Sequence, residues 1–277
     1  MNLQIPDVPW FGRWLYHLVP YRRAVVLGNL RRVFGGAVAE PDIRRLAQAY
    51  YAHYARFLGE FIRFPFMSQK RRRDWVRVEN MEAPIRAHEK GKGILLLTGH
   101  FGNFEVSTIA GIGQFPQYRG LFHFVRRPLN PPLLNDFVNR RFRRAGFGVL
   151  PKRGSLDNIL DLLASGAIIV YVFDQHAGKG DGVTVDFFGH PAGTFKSLAL
   201  LALTTGAPVV PVYSWREPDG RHVLRFEDEV PLIEHAEVGE AIRLNTRSYN
   251  AALERMLVRH PEQWIWMHRR WKVPARR

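Results

Sequence analysis

The sequence contains no cysteine. This absence excludes disulfide bonds, thiolate metal ligands and a cysteine nucleophile, so covalent chemistry in this protein would need another side chain. A chain without cysteine also fits a reducing compartment. The first constraint on function is therefore that any group transfer must proceed without a thiol on the protein.

The sequence also lacks an apolar run of the roughly 18–20 residues that span a bilayer. The longest candidates, 167–173 (AIIVYVF) and 197–212 (SLALLALTTGAPVVPV), are short or interrupted by glycine and proline. The N-terminus has no continuous hydrophobic region of the signal-peptide kind, because Asp7 and Arg13 interrupt it. We therefore expect a protein that stays in the cytoplasm unless a surface recruits it.

Familiar catalytic signatures are missing as well. The sequence has no G-x-S-x-G elbow, no Walker A loop, no G-x-G-x-x-G fingerprint and no zinc-binding spacing. The stretch AGKGDG (177–182) has the glycines of a phosphate loop, but no helix pattern follows it, so an ordinary loop is predicted. We expect neither a metal nor a cofactor.

Acidic residues are few compared with basic ones. The chain has 40 Lys and Arg against 25 Asp and Glu, a net charge of +15. Such a charge indicates an acidic partner: nucleic acid, an anionic membrane, or an acidic protein or substrate. The excess is concentrated, since residues 1–73 hold 13 basic and 4 acidic residues and residues 119–153 hold 9 and 1. This distribution favours a directed basic face.

From residue 75 onward, strand and helix patterns alternate. Near-continuous apolar strands are predicted at 93–98 and 167–173, and amphipathic helices at 131–146 and 155–166. This alternation is typical of a three-layer α/β fold with a largely parallel central sheet flanked by helices.

An N-terminal helical extension is predicted before this core. We expect residues 1–73 to form an amphipathic, membrane-facing region and residues 74–277 to form the α/β core, with a basic, tryptophan-rich C-terminal tail. Pro20 divides the aromatic stretch 8–34 into two short helices, and a long helix is predicted at 41–64. The stretch 8–34 fits a helix in a membrane interface and a helix packed on the domain equally well.

Polar side chains follow three of the predicted strands. His100 follows ILLLT, Arg126 ends LFHFVR, and Asp174 follows AIIVYVF. In parallel sheets, functional groups gather past the carboxyl ends of the strands. We therefore expect these three side chains to converge on one site.

His100 and Glu105 form the most suggestive pair at this edge. If a helix begins near Asn103, which suits a helix cap, Glu105 lies in its first turn. Glu105 could then accept a hydrogen bond from one imidazole nitrogen and leave the other as a base. Free amides at the helix start could bind a developing negative charge. For the pair alone, a capping glutamate beside a strand-end histidine is the commoner explanation.

Four blocks in order resemble a known family. HFGNFE (100–105) is similar to the H-x4-D/E motif of glycerolipid acyltransferases, and to the H-x-G-N-W-E form in the late acyltransferases of lipid A biosynthesis. RRPLNPPL (126–133) resembles that family's R-x3-N-P block, and residues 174–212 resemble its D-Q/H…F-F-G…P-A-x-T…G-A-x-V-V-P block. HPEQWIWMHRRWK (260–272) resembles P-E-Q-x-x-W-x-H-R-R-x-K. The resemblance covers most of the chain.

The resemblance implies transfer of a fatty acyl chain from acyl carrier protein or acyl-CoA to a hydroxyl of a membrane glycolipid, a lipid A precursor first of all. It makes His100 the general base and Glu105 its orienting partner, with no covalent acyl-enzyme. The other matched positions, expected to bind substrate, are Arg126, Asn103, Asp174 and Asn130.

Some features depart from the family or leave alternatives open. The family commonly begins with a membrane-spanning helix, which this sequence does not show, so we expect peripheral attachment to an anionic membrane surface at the cytoplasmic face of the inner membrane. The acceptor could instead be a mannosylated phosphatidylinositol or a lysophospholipid. A basic nucleic-acid-binding protein is the alternative from charge alone, but no nucleic-acid module is found and no such partner is expected. Trp264, Trp266 and Trp271 suit either the core or a membrane interface.

Overall fold

The α/β class predicted from the sequence is confirmed by the structure, a computed structural model that describes residues 5–152 and 154–272. Its helices and strands follow in chain order as α1 (Trp10–Leu18), α2 (Arg23–Phe34), α3 (Glu40–Arg63), α4 (Gln69–Trp75), β1 (Val76–Glu79), α5 (Glu82–His88), β2 (Ile94–Thr98), α6 (Phe104–Ile112), β3 (Phe122–Arg126), α7 (Pro132–Arg144), β4 (Gly148–Pro151), α8 (Leu156–Ala164), β5 (Ile168–Val172), β6 (Gly182–Phe187), β7 (His190–Phe195), α9 (Ser197–Thr205), β8 (Val209–Arg216), β9 (His222–Phe226) and α10 (Val238–Arg259).

Seven of the described strands form the central sheet in the order β1-β9-β8-β2-β5-β3-β4. Every neighbouring pair is parallel except β8 and β9, and β6 and β7 form a separate antiparallel hairpin. The central strand β2 is almost entirely buried, as a strand covered on both faces by helices must be. Its uninterrupted apolar sequence follows from this position.

The register between β2 and β5 determines which residues leave the sheet side by side. Thr98 at the end of β2 pairs with Val172 at the end of β5. Since the two strands are parallel, residues at the same distance beyond these ends emerge next to each other. On the other side of β5, Phe124 of β3 pairs with Val170, which brings the end of β3 to the same edge.

The two short helices predicted around Pro20 are confirmed as α1 and α2. One face of α1 packs against α3 through the buried residues Gly12 and Tyr16. The other face exposes Trp10, Trp14 and Leu18 at 74%, 62% and 69% of their surface. Packing on the domain therefore holds for one face of α1, and the predicted membrane contact concerns the other.

The N-terminal helices share a hydrophobic core with the sheet and the C-terminal segment. Leu30 of α2, Tyr50 of α3, Leu95 of β2 and Trp264 belong to one buried cluster. Among the helices of the described residues, none combines the length and apolarity that crossing a bilayer requires.

The tryptophans of the C-terminal segment are core residues. Trp264, Trp266 and Trp271 are buried, and Trp271 stacks on Phe187 of β6. Their placement at a membrane interface, one of two alternatives from the sequence, is therefore wrong, because the β6–β7 hairpin and α2 cover them. The predicted tail also includes residues 273–277, which lie outside the described residues.

Gly102, between β2 and α6, fits where no other residue would. Its φ is +55°, in the left-handed region that favours glycine. A Cβ on this residue would lie 2.5 Å from the carbonyl oxygen of Ser214 and 2.9 Å from the Cα of Trp215. Both atoms are backbone of β8, which cannot move aside without disturbing the sheet.

We expect Gly102→Ala to lower the free energy of unfolding by roughly 2–4 kcal/mol, since it combines backbone strain with overpacking. Urea unfolding followed by circular dichroism would measure this. Gly28→Ala is the matched control, because Gly28 lies in α2 with nothing within 4 Å of an added Cβ, and it should raise stability slightly. Equal stability of the two variants would contradict this account of the turn between β2 and α6, the corner that contains Gly102.

Candidate active site

His100 hydrogen-bonds to Asp174, not to Glu105. Its Nδ1 lies 2.9 Å from Asp174 Oδ1. The sheet register explains this contact, since each residue lies two positions beyond the paired ends Thr98 and Val172. The prediction that Glu105 takes this hydrogen bond is wrong, because the pairing of neighbouring strands places Asp174 at His100 Nδ1, while Glu105 lies against Arg141.

Asp174 is held as a buried carboxylate. It is 1% exposed, and its Oδ2 accepts hydrogen bonds from the His100 amide at 2.7 Å and from Trp264 Nε1 at 2.8 Å. Burial raises the pKa of this carboxyl, but the adjacent His100 and these donors outweigh burial and lower the pKa to about 2. Because an ionised carboxylate only accepts hydrogen bonds, His100 Nδ1 carries the proton.

The same pair changes the pKa of His100 in the opposite direction. Burial lowers the imidazole pKa, but the charge and hydrogen bond of Asp174 outweigh this and leave it raised. The pair therefore stabilises the folded protein when His100 is charged, and that contribution is lost as the pH rises through the raised pKa. With Nδ1 bound to Asp174, Nε2 is the nitrogen left to take a proton.

Gly99 lets this carboxylate come close to the chain. A Cβ on Gly99 would lie 2.9 Å from Asp174 Oδ2 and 2.7 Å from the ring of Phe101. A larger residue would push the carboxylate away from the two donors of His100. The glycine in the T-G-H sequence is therefore part of the geometry of the pair.

Glu105 lies in the first turn of α6, as predicted, but faces arginines. Its Oε1 is 3.1 Å from Arg141 Nη1, and the residue is 4% exposed. Burial raises the pKa of Glu105 to about 7, against the opposing charges of Arg141 and Arg126. The guanidinium of Arg141 also lies over the ring of Phe61, 4.7 Å from its centroid. Near neutral pH Glu105 therefore carries only part of a negative charge beside Arg141.

Arg126 ends β3 at the predicted edge. It is partly buried, it lies in the wall of the cavity described below, and its Nη1 donates to Asn139 Oδ1 of α7 at 3.2 Å. Asn130 lies in the exposed loop before α7 and is not among the described residues of the cavity wall. The structure therefore brings Arg126, but not Asn130, to the site.

Asn103 is the cap of α6, as its position predicts. Its Oδ1 accepts from the Val106 amide at 3.3 Å, and its Nδ2 donates to Glu60 Oε2 at 2.8 Å. The residue is completely buried, which leaves no exposed part of the side chain for the predicted contact with substrate. The Val106 amide is engaged by this cap, so it cannot serve as one of the predicted donors to a developing oxyanion.

Behind this cap lies a buried ion pair. Glu60 of α3 accepts two hydrogen bonds from Arg216, both 2.6 Å long, and Gln263 binds the backbone amide and carbonyl of Arg216. A bidentate pair of this kind fixes direction as well as distance. It ties α3, the end of β8 and the C-terminal segment to the turn between β2 and α6, which carries His100.

A largely apolar cavity of about 820 Å³ adjoins His100. Its wall includes core residues from the sheet and from α6 and α7 together with exposed residues, so it runs from the interior to the surface. The core residues are Leu96, Ile112, Phe122, Val138, Phe142, Val170, Leu224 and Phe226. The exposed residues are Leu58, Leu129, Leu134, Leu156 and Leu200. The volume lies in the range of small-ligand sites, and the lining suits a hydrocarbon chain.

Sequence reasoning did not identify Glu60, Arg141 or Asn139, and it treated Trp264 only as core or membrane residue. Glu60 and Trp264 contact partners that are 156 and 90 residues away along the chain, whereas Asn139 is 13 residues from Arg126. One local signal existed for Arg141, which lies in α7 one helical turn after Phe137 and next to the buried Phe142. No comparable signal marks Glu60 or Trp264.

The chain is similar to acyltransferases of bacterial lipids. A sequence model of the family described as bacterial lipid A biosynthesis acyltransferase matches residues 8–273. A phosphatidylinositol mannoside acyltransferase of Mycolicibacterium smegmatis is 33% identical over 69% of this chain and 62% of its own length. The lipid A biosynthesis lauroyltransferase of Escherichia coli is 27% identical over 96% of this chain and 85% of its own length. The match thus spans about three fifths of the mycobacterial protein and most of the other.

We expect Asp174→Asn to lower the pKa of His100 below its ordinary value, because burial would act without the opposing carboxylate. An NMR titration of the imidazole would measure the change. Asp157→Asn, at an exposed position of α8, is the matched control and should leave the pKa of His100 where it is. An unchanged pKa in Asp174→Asn would contradict the assigned pair.

Proposed function

Since the chain belongs to the bacterial lipid A biosynthesis acyltransferase family, we propose that it transfers a fatty acyl chain from a thioester to a hydroxyl of a membrane glycolipid. The thioester is that of acyl carrier protein or coenzyme A. The observation that carries this proposal is the His100–Asp174 pair at the wall of a deep apolar cavity. An activated imidazole and a hydrocarbon-sized site are the two parts that this reaction needs.

In the proposed mechanism, His100 Nε2 takes the proton of the acceptor hydroxyl while its oxygen attacks the thioester carbonyl. A carbon–oxygen bond forms, the carbon–sulfur bond breaks, and the proton on His100 passes to the leaving thiolate. Asp174 stabilises the imidazolium that exists between these transfers. General base catalysis of this kind contributes ~10²–10⁴-fold in rate. No acyl-enzyme is needed, in keeping with a chain that has no cysteine.

The cavity supplies the acyl site in this proposal. Each methylene buried there contributes about 0.8 kcal/mol of binding. Arg126 shares the cavity wall with His100, and only one of its five N–H groups is engaged by Asn139 in the contact described above. We assign to Arg126 a contact with the polar end of a substrate. Glu105, another residue of the cavity wall, then provides a carboxyl group that acts on Arg126 electrostatically and lies 3.1 Å from Arg141 Nη1.

The acceptor class is a glycolipid in either of two forms. The lipid A lauroyltransferase covers almost the whole chain, which favours a lipid A precursor. The phosphatidylinositol mannoside acyltransferase has the higher identity over a shorter span, which favours a mannosylated phosphatidylinositol. Incubating the purified protein with acyl carrier protein thioester and each lipid, followed by mass spectrometry, distinguishes them. The true acceptor gains the mass of one acyl chain.

We propose peripheral attachment to the cytoplasmic face of the inner membrane. Exposed apolar side chains on α1, α3 and α7 support it: Trp10, Trp14, Leu18, Leu58, Ile62, Leu133, Leu134 and Phe137. Leu58 and Leu134 also belong to the cavity wall, so part of this apolar surface borders the acyl site. Amphipathic helices with aromatic and basic residues bind bilayers in this way. A lipid acceptor could then reach His100 without leaving the membrane.

We expect His100→Ala to lower kcat/KM for acyl transfer by ~10²–10⁴-fold, because the imidazole is the base. The variant should also unfold at a lower temperature, since buried Asp174 loses a partner, so circular dichroism at the assay temperature must first show that it is folded. The measurement is acyl transfer from carrier protein thioester to lipid precursor. His235→Ala is the matched control, since His235 is exposed and outside the cavity wall, and it should keep the wild-type rate. Wild-type turnover in His100→Ala would refute the proposed mechanism.

We expect the double substitution Trp10→Glu and Trp14→Glu to weaken binding to vesicles of phosphatidylethanolamine and phosphatidylglycerol by about tenfold or more. The reason is that the variant loses two indole rings that would be buried in the bilayer interface. Vesicle co-sedimentation measures the change. Val238→Glu, which alters a 65% exposed residue of α10 outside this surface, is the control. Equal binding by both variants would remove α1 from the membrane contact.

A further inference from the structure

The indole of Trp264 touches the carboxylate that orients His100. Its Nε1 donates to Asp174 Oδ2 at 2.8 Å, and Trp264 is 1% exposed. We propose that Trp264 is a positioning residue for the reaction: its N–H holds the carboxylate of Asp174 in the plane that presents Oδ1 to His100 Nδ1. This inference rests on the proposed function, in which His100 is the base. In the C-terminal block P-E-Q-x-x-W, position 264 is one of the two unspecified residues, so the role comes from the contact and not from the motif.

The donors around Asp174 show why the indole matters. Oδ1 accepts a hydrogen bond from His100 Nδ1, and Oδ2 accepts hydrogen bonds from the His100 amide and from Trp264 Nε1. The torsion that turns a carboxylate about its Cβ–Cγ bond is broad and easily displaced. His100 contributes two of the three donors, but it is also the residue to be oriented. Trp264 is the donor among these that comes from another part of the chain, and it therefore anchors the carboxylate independently of His100.

The indole is itself firmly placed. The backbone of Trp264 forms a β-bridge with Phe101, and the carbonyl of Gln263 accepts from the Gly102 amide at 2.8 Å. The ring of Trp264 packs edge-on against Trp266, with ring centroids 4.8 Å apart. The C-terminal segment thus binds the backbone beside His100 and the side chain of Asp174 at once. A donor with this support keeps its direction when the imidazole moves or becomes charged.

A purely structural role makes a different prediction. A buried indole N–H needs an acceptor, and Asp174 would satisfy it even if Trp264 only filled the core. In that case the loss of the N–H would reduce stability and leave the ionisation of His100 alone. If Trp264 positions the carboxylate, its loss weakens the stabilisation of the imidazolium. The pH dependence of the reaction separates the two roles.

The test is Trp264→Phe, assayed for acyl transfer across pH. We expect kcat to fall about 10–100-fold, the effect of losing one hydrogen bond to a charged group, with the acceptor KM within about twofold of wild type. The acid limb of kcat/KM should move to lower pH, because a misplaced carboxylate raises the pKa of His100 less. Trp271→Phe is the matched control, since Trp271 is also buried but its Nε1 donates to the carbonyl of Phe187. It should keep the wild-type pH profile.

A double-mutant cycle tests whether Trp264 acts through Asp174. In an Asp174→Asn background, Trp264→Phe should cost less than about threefold further, since the group it positions is already altered. A full additional loss would overturn the inference. So would a Trp264→Phe protein with wild-type kcat and an unmoved acid limb. An active His100→Ala protein would instead overturn the proposed function, so the two failures are distinguishable.

A second variant covers the case in which Trp264→Phe does not fold. Benzothienylalanine, introduced at position 264 by stop-codon suppression, keeps the shape of the indole and replaces only the N–H with sulfur. We expect the same fall in kcat and the same movement of the acid limb, with a nearly unchanged unfolding temperature. Wild-type kinetics in this protein would show that the N–H has no positioning role.

Discussion

The buried charge of Asp174 is the constraint on which the site depends. An ionised carboxylate that is 1% exposed is stable only if donors surround it, because burial alone would force it to take up a proton. The fold meets this requirement with His100 and Trp264, and Gly99 leaves room for the approach. The charge of Asp174 thereby determines the tautomer of His100 and requires a glycine at position 99. It also requires the C-terminal segment to place Trp264 next to the carboxylate.

A second buried charge stabilises the corner from behind. Glu60 and Arg216 form a bidentate pair, and Glu60 also accepts a hydrogen bond from Nδ2 of Asn103, the cap of α6. Removing one member of such a pair leaves the other charge buried without compensation, which typically costs 3–5 kcal/mol. The two charges have different roles. Asp174 orients the imidazole of His100, and Glu60 binds Asn103 in the turn from which α6 begins. Neither would be tolerated in the interior without its own set of donors.

Local patterns in the sequence predicted the elements well but not all their contacts. Apolar runs placed β2 and β5, and the rule that functional groups follow parallel strands brought His100 and Asp174 to one edge. The partner of His100 was mispredicted because nearness along the chain favoured Glu105, whereas strand register favoured Asp174. Register depends on which strands are neighbours, and the spacing of motifs does not reveal that order. Trp264 could not be placed for the same reason, since 90 residues separate it from Asp174.

The helix α3 gives the corner a mechanical link to the protein surface. Leu58 and Ile62 point outward at 45% and 66% exposure, while Glu60 between them is buried against Arg216 and Asn103. Leu58 and Ile62 are one turn apart, about 5.4 Å along the helix axis. A bilayer that bound Leu58 and Ile62 would therefore contact the turn of α3 that carries Glu60, the partner of the α6 cap Asn103. If the protein attaches to a membrane as proposed, this single turn of α3 would act as a spacer that sets the depth of His100 below the lipid headgroups.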